Sequence, residues 1–388
     1  MDFSKTSSLH VTCALGLAGF LEAELSALNF PVIRVSGNHV ITQGNLTDCL
    51  KLNMSLRTAY RVNYELISAP CSTQQELKFL LKKFRWEEVT TVNGYMTFQS
   101  FSNHPTIKNT MFLNQFAKDA VVDYFNAQYG KRPDAGKFND NAISIFVHWA
   151  DNHLKVYLDT TGIPLDKRGY RFEGLYAPMQ ETLASALIMA TGWNGSGALY
   201  NPMCGSGTLA IEAAMMAANM FPGLLRRNYS LMNVNGFSMA ACEQLFSELS
   251  QLKKGDLQVP IVATDQSARA IAAAKENAKR AGVDHLIDFS VCDFENSTMK
   301  PGNGIVILNP PYGQRLGEEQ QLIPVYKSIG SFFKKNCSGK TCFVFTGSRT
   351  LSHQIGLKAS RKISFYNGDI ECRLLRYEMY EGSKKRPN

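Results

Sequence analysis

The sequence has no CxxC pair, no Cys/His cluster at zinc spacing and no HExxH, although it holds nine cysteines and seven histidines. Structural zinc sites and zinc hydrolases depend on such spacings, so no metal is expected. The odd cysteine count leaves at least one thiol unpaired, and scattered thiols fit a reduced, cytoplasmic protein better than a disulfide framework. No stretch reaches the ~18 uninterrupted apolar residues that cross a bilayer, so no membrane partner is expected. The run Val11–Leu21 has the length of a signal core, but no small-residue cleavage site follows it. Leu17, Leu21, Leu25 and Leu28 instead fall at helical spacing, which predicts a strand followed by an amphipathic helix. Repeats and low-complexity tracts are absent too.

What remains is an ordinary globular composition. With 45% hydrophobic and 19% charged residues, a disordered chain is excluded, and 388 residues leave room for two or three domains. The net charge is +8 with a pI near 8.9. That balance favours an anionic partner such as nucleic acid without requiring one.

Three zones follow along the chain. Residues 1–50 predict strand (10–14), helix (17–28) and strands near 32–36 and 39–42, a small α+β unit. Residues 51–158 predict helices at 73–83 and 110–129, with strands at 94–100, 142–149 and 155–159. Residues 159–388 change rhythm: helices near 183–190, 208–219, 268–281 and 322–335 alternate with short apolar strands ending near 200, 263, 308 and 346. Strands apolar on both faces with crossover helices predict a doubly wound, mainly parallel sheet. The last two strands, 362–366 and 372–380, are joined through Asn367-Gly368, which predicts a closing antiparallel hairpin. The tail GSKKRPN reads as a frayed basic end.

In such sheets ligands sit beyond the carboxyl ends of the strands, and four loops there are informative. The first is NPMCGSGT, Asn201–Thr208. Gly205 and Gly207 permit a tight turn into a helix and a close backbone approach. The loop has neither the GK[ST] of a P-loop nor the full GxGxxG of a dinucleotide site, and a loop of this kind alone is more often only a turn. The second places Asp265 at a strand end, where its carboxylate can accept both hydroxyls of a ribose or cap the following helix. The third, VCDFEN, offers Asp293 to an adenine amino group and the Phe294 ring to a base; its other reading is a surface turn.

The fourth loop is NPPY, Asn309–Tyr312. Pro310 and Pro311 fix their own φ, hold Asn309 extended and withdraw two N–H donors. Two acceptors remain, the Asn309 side-chain oxygen and the Pro310 carbonyl, suited to the two hydrogens of one –NH₂ group. An exocyclic base amine is a poor nucleophile because its lone pair is delocalised into the ring. Holding both hydrogens out of the ring plane localises that pair toward an electrophile, while Tyr312 can stack on the base, a contact worth ~1–3 kcal/mol. A rigid turn alone requires neither the Asn nor the Tyr.

Together these motifs resemble the class I S-adenosylmethionine-dependent amino-methyltransferases. Within them the chain is similar to the bacterial THUMP-domain RNA methyltransferases, close to those making N2-methylguanine in 23S ribosomal RNA. LDKRGYR (Leu165–Arg171), FPGLLRR (Phe221–Arg227) and YNGDIECRLLRYEMY carry the likeness along the chain. The resemblance implies a ferredoxin-like segment (1–50), a THUMP RNA-binding domain (51–158) and a methyltransferase domain (159–388). It implies S-adenosylmethionine as cofactor, held by Asn201, Pro202, Cys204, Gly205, Gly207, Thr208, Asp265, Asp293 and Phe294. Asn309, Pro310, Pro311 and Tyr312 would act on a base of 23S rRNA or a ribosomal precursor. Two positions depart from the family pattern: Asn201 stands where Asp is usual, and Asp166 where His is usual. Adenine N6 in RNA or DNA is the alternative target, since NPPY does not distinguish the bases, and a non-catalytic RNA-binding assembly protein is the alternative of another class.

Overall fold

The computed structural model describes residues 1–105, 107, 109–131, 142–171, 179–255, 259–313 and 318–380. The tail 382–388, the opening of the APMQ segment and Gln314-Arg315 lie outside them. In chain order the elements are β1 (Ser7–Cys13), α1 (Ala18–Ala27), β2 (Arg34–Ser36), β3 (His39–Gly44), α2 (Leu46–Ser55), β4 (Ala59–Pro70), α3 (Gln74–Lys83), β5 (Met96–Ser102), α4 (Thr110–Tyr129), β6 (Ile143–Ala150) and β7 (His153–Asp159). There follow α5 (Glu181–Thr191), β8 (Ala198–Pro202), α6 (Thr208–Ala217), α7 (Met239–Gln251), β9 (Ile261–Asp265), α8 (Ala268–Ala281), β10 (Ile287–Val291), β11 (Gly304–Leu308), α9 (Glu318–Asn336), β12 (Thr341–Thr346), α10 (Arg349–Gln354), β13 (Arg361–Asn367) and β14 (Ile370–Glu378).

The chain forms two compact units. The first holds Met1–Cys13, Leu21–Lys167 and Arg226–Leu249. Its sheet runs β2-β3-β1-β4-β7-β6-β5, antiparallel except for the β5–β6 pair. The strand β4 is twelve residues long and pairs with both β1 and β7. α2 runs across residue 50, and strands from residues 1–50 and 51–158 share this one sheet. α4 shows how the local sequence sets an element: Asn109 accepts from the Met111 and Phe112 N–H groups, and Gly130 ends the helix at φ +63°. Both are the residue types that satisfy orphan backbone groups at a helix end. Between them Leu113, Ala117, Val121 and Phe125 recur at four-residue spacing and are buried.

The second unit holds Ala14–Phe20, Arg168–Leu225 and Ser250–Asn388. Its sheet runs β10-β9-β8-β11-β12-β14-β13. The strands β10 through β12 are parallel, and β14 runs antiparallel to both β12 and β13. From β8 the chain winds outward to β9 and β10, then returns to lay β11 on the other side of β8. The order therefore reverses between β8 and β11, where ligands bind in open α/β sheets. The expected doubly wound sheet with an antiparallel last hairpin is what the chain forms. Val306, Leu308, Tyr326, Phe333 and Val344 lie in the buried cluster against this sheet. Phe20 packs within this unit, its ring stacked on Phe365 at 5.7 Å.

Candidate active site

The β11 strand ends buried at Leu308, and the chain turns at once through Asn309 and the buried Pro310. Asn309 Oδ1 is sheltered from solvent and meets no hydrogen-bond partner among the described residues. An unmet acceptor of this kind costs about 1–3 kcal/mol, and in a native protein it calls for an explanation. Two consecutive prolines make the position stiff enough to hold it. Tyr312, half-buried, is fixed from two directions. Asn367 Nδ2, at the turn of the closing hairpin, donates to its hydroxyl oxygen at 2.8 Å. Its ring also flanks Gly347, where an added Cβ would come within 3.1 Å of it. Burial raises the Tyr312 pKa above the usual phenol value, so the hydroxyl stays protonated at neutral pH.

Beside β11, the chain leaves β8 through the glycine loop. Gly205 and Gly207 adopt φ of +55° and +82°, the left-handed region that glycine enters without strain. A Cβ on Gly207 would meet the Ala274 Cβ of α8 at 2.9 Å, whereas nothing lies within 4 Å of one built on Gly205. Gly207 is thus explained by packing, and Gly205 leaves backbone open to a ligand. Thr208 is the first residue of α6 and is buried. Burial, with the Asp265 carboxylate, pushes the Cys204 thiol far above its ordinary pKa, so it remains a neutral lining group. Pro202 is buried and in register with Thr264. Asn201 is fully buried; its Nδ2 donates to the Ile307 carbonyl at 2.9 Å, bridging β8 to β11. Its Oδ1 has no partner among the described residues. The amide supplies that bridge; an ionised Asp, acceptor-only, has no hydrogen to give.

Asp265 ties two loops together. Its Oδ2 accepts from the Gly205 N–H at 3.0 Å and its Oδ1 from the Ser267 N–H at 2.9 Å. The cap of α8 is Ser267, whose side chain accepts from the Ala270 N–H, so the capping role belongs there. A carboxylate has about four lone-pair sites, and the half-exposed Asp265 uses two of them on backbone. Its own carbonyl accepts from the Cys292 N–H at 3.0 Å, which anchors the third loop. There Asp293 is exposed, and its Oδ1 accepts from the Glu295 N–H. Phe294 is only 8% exposed and sits edge-on to Phe332, ring centres 5.7 Å apart; this core position leaves little of its ring to a ligand.

Adjacent strands β8, β9, β10 and β11 thereby bring Asn201–Thr208, Asp265, Asp293 and Asn309–Tyr312 to one rim of the sheet. Sequence reasoning missed two supports of this rim. One is Asn367, singled out only as a turn residue. The other is a buried network in which Glu212, on α6, accepts from the Tyr170 hydroxyl at 3.1 Å and the Ser185 hydroxyl at 2.5 Å. Arg168 lies 3.5 Å from the same carboxylate. The clustered charges of RGYR were the signal for that network.

The sequence pattern of the family described as RMKL-like, methyltransferase domain, matches residues 168–376. The chain belongs to the RMKL-like methyltransferase family. A second pattern, the RlmL ferredoxin-like domain, matches residues 8–63. Among curated relatives of this family, the ribosomal RNA large subunit methyltransferase K/L of Legionella pneumophila (strain Lens) is 36% identical over 374 residues, covering 95% of the chain and 52% of the relative. The chain thus spans about half the length of the K/L relatives it matches. A Synechocystis protein bearing an RNA methyltransferase name is 31% identical, with 97% of the chain and 98% of that protein covered. Two solved structures superpose over nearly the whole chain. SMU.472, a methyltransferase crystallised with SAH, matches at TM-score 0.87 and 26% identity, covering 98% of this chain and all of that one. A Listeria monocytogenes protein named for N6-adenine-specific DNA methylation matches at 0.88 and 28%, covering 97% of each chain.

Proposed function

We propose that this RMKL-like methyltransferase transfers a methyl group from S-adenosylmethionine to the exocyclic N2 amine of a guanine in 23S ribosomal RNA, in the cytoplasm. One observation carries the reading: a sheltered, unpartnered acceptor oxygen on Asn309, held stiff by Pro310 and Pro311 beside the fixed ring of Tyr312. The names of the K/L relatives support RNA, and the SAH bound to SMU.472 supports the cofactor.

The residues present fit that cofactor. Gly205 leaves open backbone, Asp265 keeps two acceptor positions, and Asn201 Oδ1 is a buried polar atom without a partner. Cys204, Gly205, Gly207 and Thr208, with Asn201 and Pro202, would hold the methionine end, Asp265 the ribose, and Asp293 the adenine. S-adenosylmethionine supplies an electrophilic methyl on a sulfonium. Asn309 Oδ1 and the Pro310 carbonyl accept the two amine hydrogens, and Tyr312 stacks on the base, so that the nitrogen lone pair points out of the ring plane. Transfer would form the N–CH₃ bond as the C–S bond breaks, the nitrogen giving up one proton to its acceptors or to solvent. Positioning supplies most of the acceleration, and a base in a helix must first be flipped out at a few kcal/mol.

Residues 1–50 and 51–158 are read as the ferredoxin-like segment and a THUMP module gripping the RNA through phosphates and shape. Adenine N6 remains the second reading, favoured by the name of the Listeria structure. Labelled methyl transfer to purified 23S rRNA and to duplex DNA, followed by nucleoside analysis, separates them. Label in N2-methylguanosine is the expected result. Label in N6-methyladenine installs the second reading, and no label in either nucleic acid removes both.

A further inference from the structure

A polar cavity opens on the same rim as the NPPY loop, lined in part by Glu371 and Arg373 of the YNGDIECRLLRYEMY segment, to which no role was given above. Its volume is about 270 Å³, and Gly347, Ser348, Arg349, Ser352, Glu371 and Arg373 line it. Its place follows from the topology. β12 runs parallel to β11, with Leu308 beside Val344, so the residues after Thr346 emerge where Asn309 does. The antiparallel β14 then sets Arg373 opposite Thr346. Gly347 joins the two sites: it lies in this cavity and against the Tyr312 ring.

The charges in this cavity do not balance. Arg349 Nη2 and Arg373 Nη2 approach one and the same oxygen, Glu371 Oε1, at 3.8 and 3.3 Å. Two guanidiniums sharing one carboxylate leave a net charge of +1. Each guanidinium has five N–H donors in a planar fork suited to phosphate, and among the described residues Glu371 is the one acceptor paired with either side chain. Arg349 is 71% exposed and Arg373 28%. The first can therefore swing to a ligand, while the second is aimed by its strand. An isolated surface ion pair is worth little and needs only one arginine.

Resting on the reading of NPPY as the base-binding corner, we propose that this cavity is a phosphate subsite, in which Arg349 and Arg373 hold a backbone phosphodiester of the RNA strand carrying the target base. A base swung into the Asn309–Tyr312 corner hangs from a sugar whose flanking phosphates stay at the corner's edge. The cavity, which shares Gly347 with the Tyr312 ring, lies at that edge. The single negative charge of a phosphodiester neutralises the +1 of the cavity. Phosphate contacts fix register without reading sequence, which is what a flipped nucleotide requires of its neighbours.

The test uses the full chain, 23S rRNA fragments and S-adenosylmethionine. In the double variant Arg349→Gln/Arg373→Gln, the KM for RNA should rise about 10- to 100-fold, the scale of charge-assisted bonds. Its kcat, cofactor Kd and melting temperature should stay near wild type. The slope of log K for RNA retention against log salt should flatten by about 0.7–0.9, one phosphate contact. Glu371→Gln should act in the opposite direction and lower KM, since it raises the cavity charge. Inorganic phosphate at constant ionic strength should leave the wild-type KM unchanged. Unchanged KM and salt slope in the double variant overturn the proposal, as does phosphate competition that the double variant abolishes, which would mark a free-phosphate site. Retention is measured with S-adenosylhomocysteine and needs no turnover, so failure of wild-type methylation would strike the functional reading and leave this test standing.

Discussion

The two sheets of this molecule have the same number of strands and use their polar residues in opposite ways. In the first, strands run mostly antiparallel, so successive loops leave at alternate ends. Buried polar groups there close on one another: Glu24 accepts from the Arg57 and Thr58 N–H groups and the Thr58 hydroxyl, and Asn53 links Thr160 to Thr161. In the second, β8 to β12 all point the same way, and every loop after a strand reaches one rim. Unpartnered oxygens on Asn201 and Asn309 lie on neighbouring strands of that rim, joined by the Asn201–Ile307 hydrogen bond. The first unit also has unmet buried atoms, among them His10 Nδ1 and Asn63 Oδ1 on the paired strands β1 and β4, but these lie within antiparallel strands and not at a rim where successive loops gather. Parallel topology concentrates loose polar ends in one place, and chemistry becomes possible where they converge.

The sharpest way to break this comparison is to remove one asparagine from each sheet. Asn309→Ala should lower methyl transfer by about 10²–10³-fold, the usual loss for one preorganised polar group at a reacting centre. Its melting temperature should not fall, because no partner among the described residues loses a hydrogen bond. Asn53→Ala should do the reverse. It takes the acceptor from the Thr161 hydroxyl and the donor from Thr160 Oγ1, costing about 2–3 kcal/mol of stability while kcat is kept. Chemical denaturation and single-turnover methylation measured on both variants decide the matter. Equal effects of the two on stability would erase the distinction between the sheets.

A smaller effect sharpens the rim itself. Asp265→Ala should weaken S-adenosylmethionine binding by about 1.5–3 kcal/mol, the scale of a charged hydrogen bond, read as Kd by calorimetry. Because Ser267 caps α8, helix stability should hardly change. An unchanged Kd would confine Asp265 to holding the Gly205 and Ser267 backbone.

Much of this rim was legible because β8, β9, β11 and β12 are short apolar runs with turn residues beyond, whereas β10, IDFSV, is not. β12 was expected at 341–346 and occupies Thr341–Thr346. The Asn367-Gly368 turn closes the hairpin with Gly368 at φ +60°. α2 and β4 were not read from the sequence. β4 mixes polar and apolar residues, carries a register shift between Glu65 and Ile67, and owes its place to pairing with β1 and β7. Those pairings are distant in sequence and leave no local period to read. Phe294 was read as a base platform because a rim position and an aromatic ring were both visible; which way the ring turns is decided by Phe332, far along the chain. The same distance hid Arg349 and Arg373, which meet only when β14 returns beside β12.

The smallest effect concerns acid, and it should appear in the first sheet. His10 lies between the rings of His39 and Tyr157, at 4.4 and 5.4 Å. Burial lowers its pKa to about 3, and the positive charges of His39, His148 and Lys155 push the same way. Lys155 is itself paired with Glu65 at 3.4 Å. His39 and His148 are lowered as well, chiefly by burial. A histidine whose folded pKa lies below its unfolded value near 6.5 binds protons better when unfolded. Its contribution is therefore complete above pH 6.5 and is lost as pH falls from 6.5 toward 3. At pH 5 the His10 share amounts to about 2 kcal/mol. His10→Phe keeps the ring stack and removes the titration, so its stability should fall less than wild type between pH 7 and pH 5, by about that amount in denaturant midpoints converted to free energy. Parallel pH profiles for the two proteins would mean that His10 exchanges its proton as freely folded as unfolded, and that burial among His39, Tyr157 and Lys155 does not hold it neutral.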